Sequence, residues 1–266
     1  MGGPLSAGHP RGERLVCPWH GLSVCSEKRG SWKPLTAHDD GHLVWVQPDG
    51  QGRQSGKSGH DGGQSYEPGS DERGAEALTS EPILPPRPKD ALAGVIRVIA
   101  RCEPSDVIAN RLDPWHGARY HQHTFARLRV LEEKKEAITV QVAFRVAGPV
   151  CTEVICTFHT PEPRTIVMTI IDGEGKGSIV ETHATPLTDG WSAVTELIMA
   201  TSDRYSFRQA LRMRPLLEPL LGRTAKRLWN DDAAYAERSY ALRSGLQPNE
   251  WSTNAWQRAP GTPYPR

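Results

Sequence analysis

A chain of 266 residues with 37% apolar side chains can bury one large core or two modest ones. Its 32 basic and 31 acidic residues leave a formal net charge of +1, which offers no electrostatic basis for a nucleic-acid or anionic-membrane partner. No apolar run approaches the roughly 20 residues that span a bilayer, no secretory signal opens the chain, and five irregularly spaced cysteines are no disulfide framework, so a cytoplasmic protein that does not span a membrane is expected.

Residues 1–48 read as a small β module of short segments punctuated by Gly and Pro, with Leu43-Val44-Trp45-Val46 as its clearest strand. Residues 49–88 read as a linker. Its first part holds Gly, Ser, Gln and Asp with almost no aliphatic side chains, too little apolar surface to offset the entropy of ordering. Its end, Pro82-Ile83-Leu84-Pro85-Pro86-Arg87-Pro88, favours stiff polyproline geometry.

Residues 89–246 form a second domain, which opens on the helical spacing of Ala91, Val95, Ile96 and Ile99. β-type runs follow at 125–130, 138–146, 150–158, 165–171, 178–183 and 192–199, most of them rich in Val, Ile and Thr and several separated by turn signals such as Asp172-Gly173 and Asp189-Gly190. They predict an antiparallel sheet of about six strands. Helix is expected from about Ser206, broken near Pro215 and Pro219, with a last helix over 220–243. The class is therefore α+β, a curved sheet closed by a long C-terminal helix, and 247–266 reads as an irregular tail.

The segment Asn110-Arg111-Leu112-Asp113-Pro114-Trp115-His116-Gly117-Ala118-Arg119-Tyr120-His121 carries the densest chemistry. On a helix that loosens near Gly117, Asp113 and His116 share a face and His121 can come round to the same point. Two imidazoles with a carboxylate from elsewhere suit non-haem Fe(II) and leave coordination positions open. A second pattern, Cys17-Pro18-Trp19-His20-Gly21, offers one thiolate and one imidazole.

Asn-x-x-Asp-x-x-His-x-x-x-x-His resembles the catalytic motif of Rieske-type non-haem iron oxygenases, and Cys-Pro-Trp-His-Gly resembles the second half of their [2Fe–2S] motif. The resemblance implies mononuclear Fe(II) on His116 and His121, with Asp113 bridging electrons toward it. In Trp229-Asn230-Asp231-Asp232-Ala233-Ala234-Tyr235 it implies a third ligand at Asp232, with Asp231 as the alternative. Cys17 and His20 would hold half of a [2Fe–2S] cluster. No Cys-x-His precedes Cys17, so a reading frame that begins just after the first half of a partial Rieske domain is expected. The implied function is hydroxylation of a hydrophobic small molecule with dioxygen and electrons from a reductase or ferredoxin, in a homotrimer.

The helix-and-sheet domain also resembles helix-grip, lipid-binding folds of the START type. That resemblance implies a carrier of a hydrophobic ligand in place of an oxygenase. An oxygenase that has lost its cluster is a third reading.

Overall fold

The computed structural model describes residues 9–12, 14–16, 23–25, 36–47, 82, 85–147, 150–187 and 190–246. The chain divides into two compact units after Pro82. In the first, β1 (His9–Arg11), β2 (Arg14–Val16) and β3 (Ser23–Cys25) form a three-stranded sheet, and β4 (Thr36–Asp39) pairs with β5 (Val44–Gln47). The turn between β4 and β5 winds around Asp40. Its Oδ1 accepts the backbone N–H groups of His42 and Leu43, and its Oδ2 accepts Trp45 Nε1 at 2.7 Å, the way a short carboxylate stabilises a turn.

The second unit is built on β6 (Leu92–Ala100), β7 (Phe125–Glu133), β8 (Ala137–Ala147), β9 (Val150–Glu162), β10 (Thr165–Gly173), β11 (Ile179–Pro186) and β12 (Ser192–Ala200). They form one antiparallel sheet in the order β6-β12-β11-β10-β9-β8-β7. Helices α1 (Pro104–Leu112) and α2 (Pro114–Tyr120) connect β6 to β7, the two edges of that sheet. Helices α3 (Tyr205–Arg212) and α4 (Arg214–Arg243) follow the last strand. This is the α+β helix-grip architecture expected for the second domain. No helix among the described residues is long and apolar enough to cross a membrane.

Register shifts in the β7–β8, β8–β9 and β9–β10 pairings bend the sheet, because a bulge lengthens one strand against its partner. The turn after β10 depends on Gly173, at φ 91°, where an added Cβ would lie 2.6 Å from the Glu153 carbonyl oxygen. Helix α4 lies close to the sheet because it buries small residues, Ala225, Ala233 and Ala236, together with the fully buried Trp229. Gly94 on β6 serves the same approach, since a Cβ there would stand 3.2 Å from Leu221 Cγ. A second apolar cluster, centred on Val140, Val142, Val154, Cys156 and Met168, lines the other half of the sheet.

Two local expectations differ from the structure. Residues 91–99 form a strand and not a helix: Gly94, Ile96 and Ala100 are buried while Val95, Arg97 and Ile99 are exposed, the period of two of a strand. Spacing alone fits a helix, but β-branched side chains and a continuous register with β12 from Leu92 to Ala100 favour the sheet. The final helix also begins at Arg214 and not near 220. Pro215 falls in its first turn, where no N–H partner is required, and Pro219 is carried inside the helix.

Candidate metal and ligand site

The segment from Asn110 to His121 positions its side chains by breaking a helix. Asp113 lies in extended backbone between α1 and α2, and its Oδ1 caps α2 by accepting the Trp115 N–H at 2.9 Å. Pro114, with no N–H to satisfy, opens the new helix. Within it, His116 Nδ1 donates to the Asp113 carbonyl oxygen at 2.5 Å. His121 is the C-cap, its N–H bonded to the Gly117 carbonyl at 3.0 Å.

Asp232, only 1% exposed, meets both rings from α4. Its Oδ1 stands 3.0 Å from His116 Nε2 and 2.8 Å from His121 Nε2. Asp231 reaches no nearer than 3.9 Å to His121, through Nδ1. With the exposed His123 it forms a second candidate group that shares His121.

The donor set fits a metal ion. With Nδ1–H committed to the Asp113 carbonyl, a neutral His116 ring presents its Nε2 lone pair to a carboxylate oxygen. Two lone pairs at that distance repel unless a proton or a cation lies between them. Ligand atoms each about 2.1 Å from one ion and at right angles stand about 3 Å apart, which matches the two spacings here. Burial opposes the charge on Asp232, but where Nε2 protons bridge these gaps in place of a cation, the hydrogen bonds from His116 and His121 outweigh it and hold the carboxyl well below its usual range.

Two neighbours complete the cluster. Asn110, 1% exposed, places Nδ2 3.4 Å from both His116 Nε2 and Asp232 Oδ1, while its own Oδ1 is buried with no partner among the described residues. Tyr235 stacks on the His116 ring with centroids 5.3 Å apart. Its hydroxyl donates to Asp113 Oδ2 at 3.4 Å.

Asp113, His116, His121 and Asp232 line a cavity of about 190 Å³ between the sheet and α4. Its walls are apolar, with Phe125, Leu128, Val142, Phe144, Met168 and Ile198 among them. Two charged side chains, Arg111 and Glu196, also border it. Glu196 Oε2 accepts Trp229 Nε1 at 2.5 Å and Thr182 Oγ1 at 3.2 Å, and burial pushes its carboxyl above the usual range in spite of Arg111.

His116, His121 and Asp232, expected from the sequence to act together, are brought together. Asp113, expected to bridge electrons, is a helix cap whose Oδ2 stays 4.0 Å from His116 Nδ1. Cys17 and His20, expected to hold part of a cluster, lie outside the described residues. The roles of Asn110, Arg111 and Glu196 were not foreseen. A signal existed for Glu196, the lone charge in the apolar run Ser192-Ala193-Val194-Thr195-Glu196-Leu197-Ile198-Met199, because such a residue on a buried strand needs a reason.

A sheet gripping a C-terminal helix over an apolar cavity defines a helix-grip domain. Residues 73–247 match the family described as "Domain of unknown function (DUF5914)"; that is well over half of the chain, which belongs to this family. No curated protein matches. Among solved structures, the chain is similar to TTHA0849 from Thermus thermophilus, at 11% identity over 55% of this chain and 98% of that one, with a TM-score of 0.47. It is similar to the Zhui aromatase/cyclase from Streptomyces sp. R1128, at 15% identity over 58% and 98%, TM-score 0.48. A START superfamily protein from Mycobacterium smegmatis matches at 10% identity over 57% and 98%, TM-score 0.42.

The family match corrects the Rieske oxygenase expectation. The matched family covers Asp113, His116, His121 and Asp232 and is a different one. The oxygenase, oxidoreductase and iron–sulfur expectations therefore do not hold. The electron-donor, dioxygen and trimer expectations rested on that resemblance alone. The physical reason lies in how little a single ion asks of a chain. Two histidines at a helix end and one carboxylate opposite satisfy it, so a short motif reports the ligand geometry and not the ancestry.

Proposed function

We propose that the second unit is a hydrophobic-ligand-binding domain whose cavity ends on a metal ion held by His116, His121 and Asp232. The cavity carries the reading. Side chains that could have closed the space between sheet and helix instead leave about 190 Å³ with apolar walls, the usual character of a small-molecule site. Two imidazoles and one carboxylate would suit Fe(II), which when bound would supply Lewis acidity to a ligand oxygen. A reducing cytoplasm suits the buried thiols of Cys102 and Cys156.

Methyl NMR on the full chain labelled at its four methionines tests the cavity. Met168 lines it, whereas Met213 is 51% exposed on the surface. Titration with small apolar compounds such as toluene or indole is expected to shift the Met168 methyl and spare that of Met213. A Met168 signal that stays put across such a panel would overturn the ligand-binding reading.

A further inference from the structure

Building on the ligand-binding reading, we infer that Arg111 anchors the ligand's head group, and that the ligand is a small apolar molecule bearing one anionic oxygen group, a carboxylate in the simplest case.

Two arginine–glutamate pairs in the same unit show the contrast that supports this. Arg87 and Glu181 form a complete fork, Nε to Oε1 at 2.6 Å and Nη2 to Oε2 at 2.8 Å, the strong bidentate geometry. Arg111 and Glu196 do not: their closest approach is 3.4 Å, too long for a good charge-assisted hydrogen bond. Glu196 Oε2 is already occupied by Trp229 and Thr182. Arg111 Nε is buried and has no hydrogen-bond partner among the described residues.

A guanidinium has five N–H donors, and burying it is costly unless they are used. This one is only 13% exposed. It lies 5.9 Å from the Phe158 ring centroid and 5.7 Å from that of Trp229, so aromatic faces accommodate its charge without using its donors. It borders the apolar cavity. An unused donor on a buried guanidinium beside a largely apolar cavity favours a ligand with an acceptor at one end, and a negative charge on that acceptor matches the cation.

Cavity size limits the apolar part. An engineered cavity of roughly 150 Å³ holds benzene, so about 190 Å³ takes a single ring with a small substituent. A sterol does not fit inside it whole.

Calorimetric titration of the chelator-treated full chain with benzoate and with nitrobenzene, its uncharged isostere, tests the inference without any contribution from a metal. Wild type is expected to bind benzoate more tightly than nitrobenzene. Arg111→Met should weaken benzoate by about tenfold or more, the usual scale for a lost charged hydrogen bond, while nitrobenzene binding persists. Arg111→Lys should recover part of the benzoate affinity. If Arg111→Met alone misfolds because Glu196 is left unpaired, Arg111→Met/Glu196→Gln removes both charges and makes the same comparison. Equal loss of both probes in these variants, or a wild-type preference for nitrobenzene, overturns the anchor role and leaves the cavity reading intact. Binding of neither probe to the wild type overturns the cavity reading itself.

Discussion

Nε2 of His121 and Oδ1 of Asp232 stand 2.8 Å apart although 111 positions separate them in the chain. His121 ends a helix that leads into the first edge of a bent sheet, and Asp232 sits past the middle of the helix gripped by it. Their meeting makes a buried acid between two imidazoles, and the following outcomes are expected from it.

Adding Fe(II) or Zn(II) to the chelator-treated chain should raise its melting temperature. An ion at 100 times its dissociation constant contributes about 2.7 kcal/mol to the folded state. His116→Ala, His121→Ala and Asp232→Ala should each abolish that rise and lower bound metal, read by elemental analysis. Losing a direct ligand should cost more than the roughly 10- to 100-fold that loss of an outer partner costs. Full metal occupancy in His121→Ala would move the site to another set of residues.

Asp113 makes a different prediction from its neighbours. Asp113→Asn keeps an oxygen for the Trp115 N–H, and the contact to His116 uses the backbone carbonyl, so metal affinity should be unchanged. Asp113→Ala loses the cap and should destabilise the unit by about 1 kcal/mol. Chemical denaturation and metal titration read the two effects separately.

Val180 borders the cavity from β11. Val180→Phe should fill it, ending the response of the Met168 methyl to apolar compounds while the metal-dependent rise in melting temperature remains. Parallel loss of both responses would show that the cavity and the ion site do not respond independently.

Acid should destabilise the second unit through Glu181. Burial opposes its charge, but the fork from Arg87 and the hydrogen bond from His183 prevail and hold its carboxyl below the usual 4.5. A carboxyl with a depressed folded-state value adds stability that is full above about 4.5 and is lost as the pH falls through that lower value. Arg87→Met strands the buried charge and should cost about 3 kcal/mol at neutral pH. In Glu181→Gln the acid dependence between pH 5 and 2 should flatten, as followed by urea denaturation at each pH.

Much of the fold was legible. Six of the seven strands of the large sheet show as β-type runs, most of them rich in Val, Ile and Thr, because a half-buried strand favours such side chains. The seventh, β6, was hidden: Ala91, Val95, Ile96 and Ile99 satisfy helical spacing too, and only pairing with β12 along its whole length decides between the two. Family was the least legible property. Histidines at positions 116 and 121 and an acidic pair at 231 and 232 describe what an ion requires, and chains of different descent meet that requirement in the same few residues.

From the sequence alone came the residues able to meet at one site, the α+β class and the closing helix, since local periodicity and donor chemistry are written along the chain. Tertiary structure alone chose Asp232 over Asp231, because neighbouring positions on a helix point about 100° apart and only the packing of α4 against the sheet says which one faces inward. It also turned Asp113 into a cap and left Arg111 Nε without a partner among the described residues, on a side chain that borders a largely apolar cavity. Those outcomes depend on where distant segments come to rest, which no stretch of the chain encodes by itself.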